Sequence, residues 1–145
     1  AAMAEVLGCK VKWPNDLVTA DGKKVGGILA ELSSEAEQVR FVVLGVGINV
    51  NQLAFPGLPM ASSLRLESGV EHDRALLLAR LVAAIESVPT EGTPCLEQWR
   101  ARSHTLGLRV QVGDVQGIAE AVREDGALIV GGTPVLAGDV ELIAE

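Results

Sequence analysis

A chain of 145 residues with 48% hydrophobic and 21% charged side chains has a globular balance, which excludes a disordered polypeptide. Its net charge of −7, with lysine and arginine scattered along the chain, argues against nucleic-acid binding by this segment, because a phosphate backbone selects a basic face. No apolar run reaches the roughly 18 residues needed to span a bilayer, and no signal-peptide pattern opens the chain, so the expectation is a cytoplasmic protein with no membrane partner. Cys9 and Cys95 lie in no metal-type spacing and read as buried or incidental thiols of a reducing compartment.

Residues 1–9 read as the last turns of a helix closed at Gly8. The chain opens in mid-element without an initiator methionine, which suggests a piece of a longer chain. Residues 11–13 and 17–19 are short extended runs, separated by Pro14, which fixes φ and removes a backbone donor. Asp21-Gly22 is a two-residue hairpin signal, since both residue types tolerate positive φ. The hairpin starts the returning strand, 25–32, at Lys24 and so places that ammonium near Asn15 and Asp16. Gly26 and Gly27 leave room for close approach to the backbone.

A polar turn is expected over 33–37. The apolar run 40–50 that follows reads as a central strand covered on both faces, with Gly45 and Gly47 marking another close approach. Gly45-x-Gly47 lacks a third glycine and leads into Asn-Val-Asn, not a helix, so a dinucleotide site is rejected.

Residues 52–71 read as a loop with a turn around 62–66. The stretch 73–88 is the clearest helix: Leu77, Leu78, Leu81, Val82, Ile85 and Val88 form an apolar stripe, with Asp73 as N-cap. After a break at 90–94, a shorter helix covers 95–103 with Trp99 on its buried side. His72 and His104 stand without ligand-spaced partners and read as solvated or capping residues. From 108 on, β-rich runs at 108–112, 117–122, 128–130 and 135–143 alternate with glycine and aspartate turns, the pattern of a small barrel. The fold class is therefore α+β: a mixed or antiparallel sheet with helices on one face over 1–103, then a small β-barrel over 104–145.

Three linked motifs stand out: Lys-Trp-Pro-Asn-Asp at 12–16, Lys24 with Gly-Gly-Ile-Leu at 26–29, and Gly-Val-Gly-Ile-Asn at 45–49. In order and spacing they resemble the biotin protein ligases. The resemblance implies part of a class II synthetase-like catalytic domain, followed by an SH3-like barrel. It also implies a two-step reaction: biotin and ATP, with Mg2+ accompanying ATP, give biotinyl-5'-AMP, and biotin then passes to a lysine of a biotin carboxyl carrier protein, an acetyl-CoA carboxylase subunit.

On that resemblance Lys24 is the catalytic cation. Asn15, Asp16 and Asn49 bind ATP or the adenylate, and Lys24, Gly27, Leu29, Gly45 and Gly47 line the biotin slot. Asp16 is left open between binding magnesium and orienting Lys24 or the incoming amine, and no metal ligand set is assigned. A homodimer is one expected assembly. Nothing in 1–145 matches the family's upstream glycine- and arginine-rich adenylate loop, so this segment alone is expected to be inactive. The alternatives are a non-catalytic carrier-docking module and a lipoate ligase; the Trp-Pro-Asn-Asp motif and the barrel favour biotin.

Overall fold

The computed structural model describes residues 1–35, 38–88 and 94–143. The first helix, α1 (Ala2–Leu7), ends where Gly8 takes a left-handed φ of 65°, as its sequence anticipates. Four strands follow: β1 (Lys10–Lys12), β2 (Asp16–Val18), β3 (Lys24–Glu35) and β4 (Gln38–Ile48). They form one antiparallel sheet in chain order. Three helices come next: α2 (Leu64–Ser68), α3 (Arg74–Glu86) and α4 (Pro94–Ala101). A second antiparallel sheet is built from β5 (Arg109–Val112), β6 (Val115–Val122), β7 (Leu128–Val130), β8 (Thr133–Val135) and β9 (Glu141–Leu142), in the order β8-β7-β6-β5-β9. The α+β class stands.

Helices cover one face of the first sheet. Ala4, Val11, Leu17 and Val25 form one buried cluster, and Met3, Leu64, Leu77 and Leu81 form another; Ile28 and Ile48 pack against both. Asp73 caps α3, its carboxylate accepting from the Ala75 and Leu76 amides at 2.8 and 3.1 Å. Only Leu77 and Leu81 of the expected stripe are buried, while Leu78 is 63% exposed, because α3 packs along a single i, i+4 row, mainly against α1.

The second sheet has its own core of Val110, Val112, Ala119, Val122, Leu128, Val130 and Val140. Trp13 belongs to this core, although β1 and β2 lie in the first sheet. Its backbone N–H donates to Thr105 Oγ1 at 3.0 Å and its indole N–H to the Gly126 carbonyl at 2.9 Å. The Trp-Pro step therefore fastens the two sheets together.

Four local expectations are corrected. The β2–β3 connection is not a two-residue turn: the Thr19 amide donates to the Lys23 carbonyl at 2.8 Å, enclosing Ala20, Asp21 and Gly22, and Gly22 supplies the positive φ of 85°. Such a three-residue loop with glycine in the left-handed position is the next commonest hairpin solution. Ser33, Ser34 and Glu35 continue β3, because Ser33 and Ser34 still find ladder partners in Phe41 and Val39; Ala36 and Glu37 lie outside the described residues. The run 135–143 is not one strand: β8 stops at Val135, Gly138 takes a φ of 132°, and pairing resumes only at β9.

The fourth correction concerns β4, which is an edge strand and not a covered central one. Phe41 and Val43 on one face, and Val42 and Leu44 on the other, are exposed by 58, 51, 54 and 42%. Along β3 and β4 the described helices reach no further than Ile28 and Ile48, so the far half of the β3–β4 hairpin projects beyond them. The expected break at 90–94 falls mostly outside the described residues, with α4 beginning at Pro94.

Candidate active site

Lys24 and Asp16 meet as an ion pair of 2.6 Å. Asp16 lies opposite Gly27, Lys24 opens the same strand after the turn, and the register shifts between Leu17 and Val18, beside the contact. A methyl group added at Gly27 would sit 3.5 Å from Asp16 Oδ1 and 3.7 Å from Lys24 Nζ, so the pair lies directly over this glycine. Gly27 in turn faces Gly47, and Leu29 faces Gly45. Residues directly opposite in an antiparallel ladder share a face, and every second residue of a strand returns to it. Asp16, Gly27, Leu29, Gly45 and Gly47 thus occupy one face, with Lys12 opposite Asp16 on the same side.

The glycines make that face flat. Nothing lies within 4 Å of the place a Gly47 side chain would take, and at Gly45 the nearest atom is the Leu29 carbonyl oxygen at 3.6 Å. Leu29, 57% exposed, borders the trough. Gly26 differs: a methyl group there would meet the Gly47 carbonyl oxygen at 2.5 Å, so its small size serves strand packing on the helix-covered face.

Lys24 is anchored through its backbone. Its N–H donates to the Met60 carbonyl at 2.7 Å, and its carbonyl accepts from Ser62 at 2.8 Å. Asn49 holds the same segment, its side-chain amide donating to the Ser62 carbonyl at 3.0 Å and its backbone N–H to Val25 at 2.8 Å. One amide proton of Asn49 is therefore engaged in structure. Asn15 is exposed beside Asp16, its carbonyl accepting from the Ile28 amide at 2.9 Å. The structure brings Lys24, Asp16 and the glycines together and sets Asn49 behind them as a bracket.

The turn that delivers Lys24 is itself charged. The Thr19 hydroxyl donates to the Asp21 carboxylate, and Lys23 pairs with Asp21 at 2.9 Å. The Thr19 bond first, then Lys23, hold the Asp21 carboxyl down to about 2, and Asp21 raises Lys23 in return. Among the described residues no group of three or more His, Cys, Asp or Glu side chains is arranged for a metal ion. A separate cleft of about 680 Å³ lies between α4 and the β6–β7 turn, lined by Trp13, Pro14, Leu96, Trp99 and Leu136 among others. None of Lys24, Asp16, Asn15 or Asn49 lines it.

Two residues escaped the sequence reading. Trp13 gave no sign of its attachment to the second sheet, since its partners lie 92 and 113 positions away. His104 is not a solvated or capping residue: its Nε2 is buried with no hydrogen-bond partner among the described residues. No local signal could reveal that, because the atoms enclosing it come from the β2–β3 turn.

The biotin/lipoate A/B protein ligase family model matches residues 5–49, the stretch that holds every site residue. The chain is 42% identical to a biotin–[acetyl-CoA-carboxylase] ligase of Mycobacterium tuberculosis, over 90% of this chain and 52% of that protein. It is 33% identical to the bifunctional ligase/repressor BirA of Bacillus spizizenii, over 98% of this chain and 51% of the relative. The chain thus spans about half the length of the curated relatives it matches. A biotin protein ligase from Aquifex aeolicus, solved in complex with biotin and ATP, superposes with a TM-score of 0.77 at 25% identity, covering 99% of this chain and 66% of that one. The motifs, their placement on one sheet face and these likenesses agree, and together they support a biotin protein ligase fragment.

Proposed function

We propose that this chain supplies the lysine-bearing face of an ATP-dependent biotin protein ligase that makes biotinyl-5'-AMP and transfers biotin to a lysine of a biotin carboxyl carrier protein. The observation that carries the reading is the Lys24–Asp16 pair lying over Gly27 on a glycine-lined face. In the first step a biotin carboxylate oxygen attacks the α-phosphorus of ATP and pyrophosphate leaves. In the second the carrier amine attacks the acyl carbon, losing a proton as AMP departs. Both steps build negative charge within reach of one ammonium, and a fixed cation at that point lowers both barriers.

Asp16 holds Lys24 in place, which favours the orienting role among those open to it. Gly27, Gly45 and Gly47 admit the flat apolar body of biotin against the strands, with Leu29 at its side. Asn15 and Asn49 face adenine, whose edge offers matching donors and acceptors. Magnesium, if it accompanies ATP, would neutralise charge on the phosphates, and Asp16 is the carboxylate among the proposed site residues that would hold it. The second sheet is read as the SH3-like barrel, dividing the chain into 1–103 and 104–145. The unpaired β4 edge supports self-association as a homodimer. No helix among the described residues is long and apolar enough to cross a membrane; the proposed location of the ligase is the cytoplasm.

The test is a chimera joining this chain to the part of the Mycobacterium tuberculosis relative that it does not cover. Given ATP, biotin and a carrier domain, the chimera should label the carrier lysine; with lipoate in place of biotin it should not. Labelling with lipoate alone would move the chain to the other branch of its family, and labelling with neither would leave the docking-module alternative standing.

A further inference from the structure

His104 sits where the chain crosses from α4 to the second sheet. Its backbone N–H donates to the Val11 carbonyl at 2.7 Å, and Ser103 bridges Val11 in parallel register, so the backbone carrying the ring is fixed along β1. The ring then reaches the β2–β3 turn. A methyl group added at Gly22 would come within 2.6 Å of His104 Nε2, so the tip of the imidazole is seated against the turn backbone. That same Nε2 is buried and meets no hydrogen-bond partner among the described residues. The charged groups facing the ring are Lys10 and Lys12 of β1 and Asp21 of the turn. Asp21 is already engaged by Thr19 and Lys23.

We propose that neutral His104 is a positioning residue for Lys24, a wedge that seats the β2–β3 turn, and that protonation of its ring releases this turn in mild acid. Residues 19–23 are hydrogen-bonded to one another, the Lys23 amide donating to Thr19 Oγ1 at 2.9 Å and the Gly22 amide to the Thr19 carbonyl at 3.1 Å, while Lys24, the next residue, is held beyond the turn by Met60 and Ser62. A proton on Nε2 demands an acceptor, and a buried cation without one is far costlier than a buried neutral ring. Protonation therefore drives the ring out of its seat. Burial lowers the His104 pKa below 6.5, Lys10 and Lys12 push the same way, and Asp21 opposes them weakly. With the seated pKa depressed, the released state binds the proton more tightly. Seating is full above 6.5 and is lost as pH falls through the lower seated value. Asp21 stays ionised down to about 2, so the turn's own ion pair does not titrate in that window.

The importance of the wedge for catalysis rests on the reading of Lys24 above, but its test does not. The isotope-labelled 145-residue chain would be followed by NMR from about pH 8 to about pH 5, the window of histidine titration. The His104 ring should titrate below 6.5, and the Gly22, Lys23 and Lys24 amide resonances should move with the same midpoint, the Lys23 amide losing its exchange protection below it. His104→Phe keeps a ring but removes the proton and should abolish the pH dependence of the turn. Gly22→Ala should unseat the ring and raise its midpoint towards 6.5. Turn resonances that stay still while His104 titrates, or a ring that titrates at or above 6.5, would overturn the proposal. If His104→Phe does not fold, the wild-type titration and Gly22→Ala decide. Coupled titration together with a Lys24→Ala chimera that still makes adenylate would sustain the wedge and sink the catalytic reading instead.

Discussion

Lys24 is gripped twice, by its backbone through Met60 and Ser62 and by its ammonium through Asp16. The second grip could be read from residue order, because a short hairpin after Asp16 must return close to where it left. The first could not, since it comes from a loop with no periodicity around Ala61. Asn49 shows the same divide. Its motif marks it as an adenine reader, yet one side-chain N–H is spent on Ser62, thirteen residues away. Asn15 is exposed, and among the described residues its side chain makes no such bond. Replacing either asparagine by alanine in the chimera should weaken ATP more than biotin, each by about 1–3 kcal/mol if a buried base edge is left unpaired. Asn49→Ala should also lower thermal stability by about 1 kcal/mol for the lost bond to Ser62, whereas Asn15→Ala should not. Calorimetry and a melting curve separate the two roles; equal losses of ATP and biotin binding would make both residues structural.

At the scale of elements, α1, α3 and the hairpin were legible because capping residues and apolar spacing act locally: Gly8 and Asp73 do what their types dictate. The position of β4 was not. A run of Phe41, Val42, Val43 and Leu44 reads as a strand covered on both faces, but coverage depends on neighbours far away in sequence. Here the strand ends the sheet. The glycines of β3 and β4 divide in a way that only coordinates reveal. Gly26→Ala drives a methyl group to 2.5 Å from the Gly47 carbonyl oxygen. Backbone must move, and the melting temperature should fall by the equivalent of about 1–3 kcal/mol. Gly47→Ala meets nothing within 4 Å and should fold as well as the parent, since a surface change of this kind costs within about 0.5 kcal/mol. Its methyl group would nevertheless stand in the proposed slot, so biotin affinity of the chimera should drop sharply. Unchanged biotin binding by Gly47→Ala would remove that glycine from the site.

For the whole molecule, the decisive features are a site on one sheet face and a long hairpin left bare. Leu29, Leu32, Phe41, Val42, Val43 and Leu44 are all exposed on β3 and β4, a larger apolar surface than scattered residues produce. The 145-residue chain should therefore self-associate, and sedimentation at increasing concentration should show dimers or larger species. Arg40→Glu would place the new carboxylate beside Glu35, its present partner at 2.9 Å, and should shift the equilibrium towards monomer. Alone, the chain should not label a carrier, because the glycine-lined face is open, with nothing within 4 Å of the place a Gly47 side chain would take, and water would reach the mixed anhydride.

The claim at the centre is that Lys24 stabilises the charge of adenylate formation, and biotinyl-AMP made from α-labelled ATP by the chimera reads it directly. Lys24→Ala should cut the rate by about 10²–10³, the usual cost of removing one group that stabilises developing charge. The fold should be unchanged, because the side chain is half exposed and its backbone bonds remain. Near-parental synthesis of biotinyl-AMP by a folded Lys24→Ala protein would contradict the account.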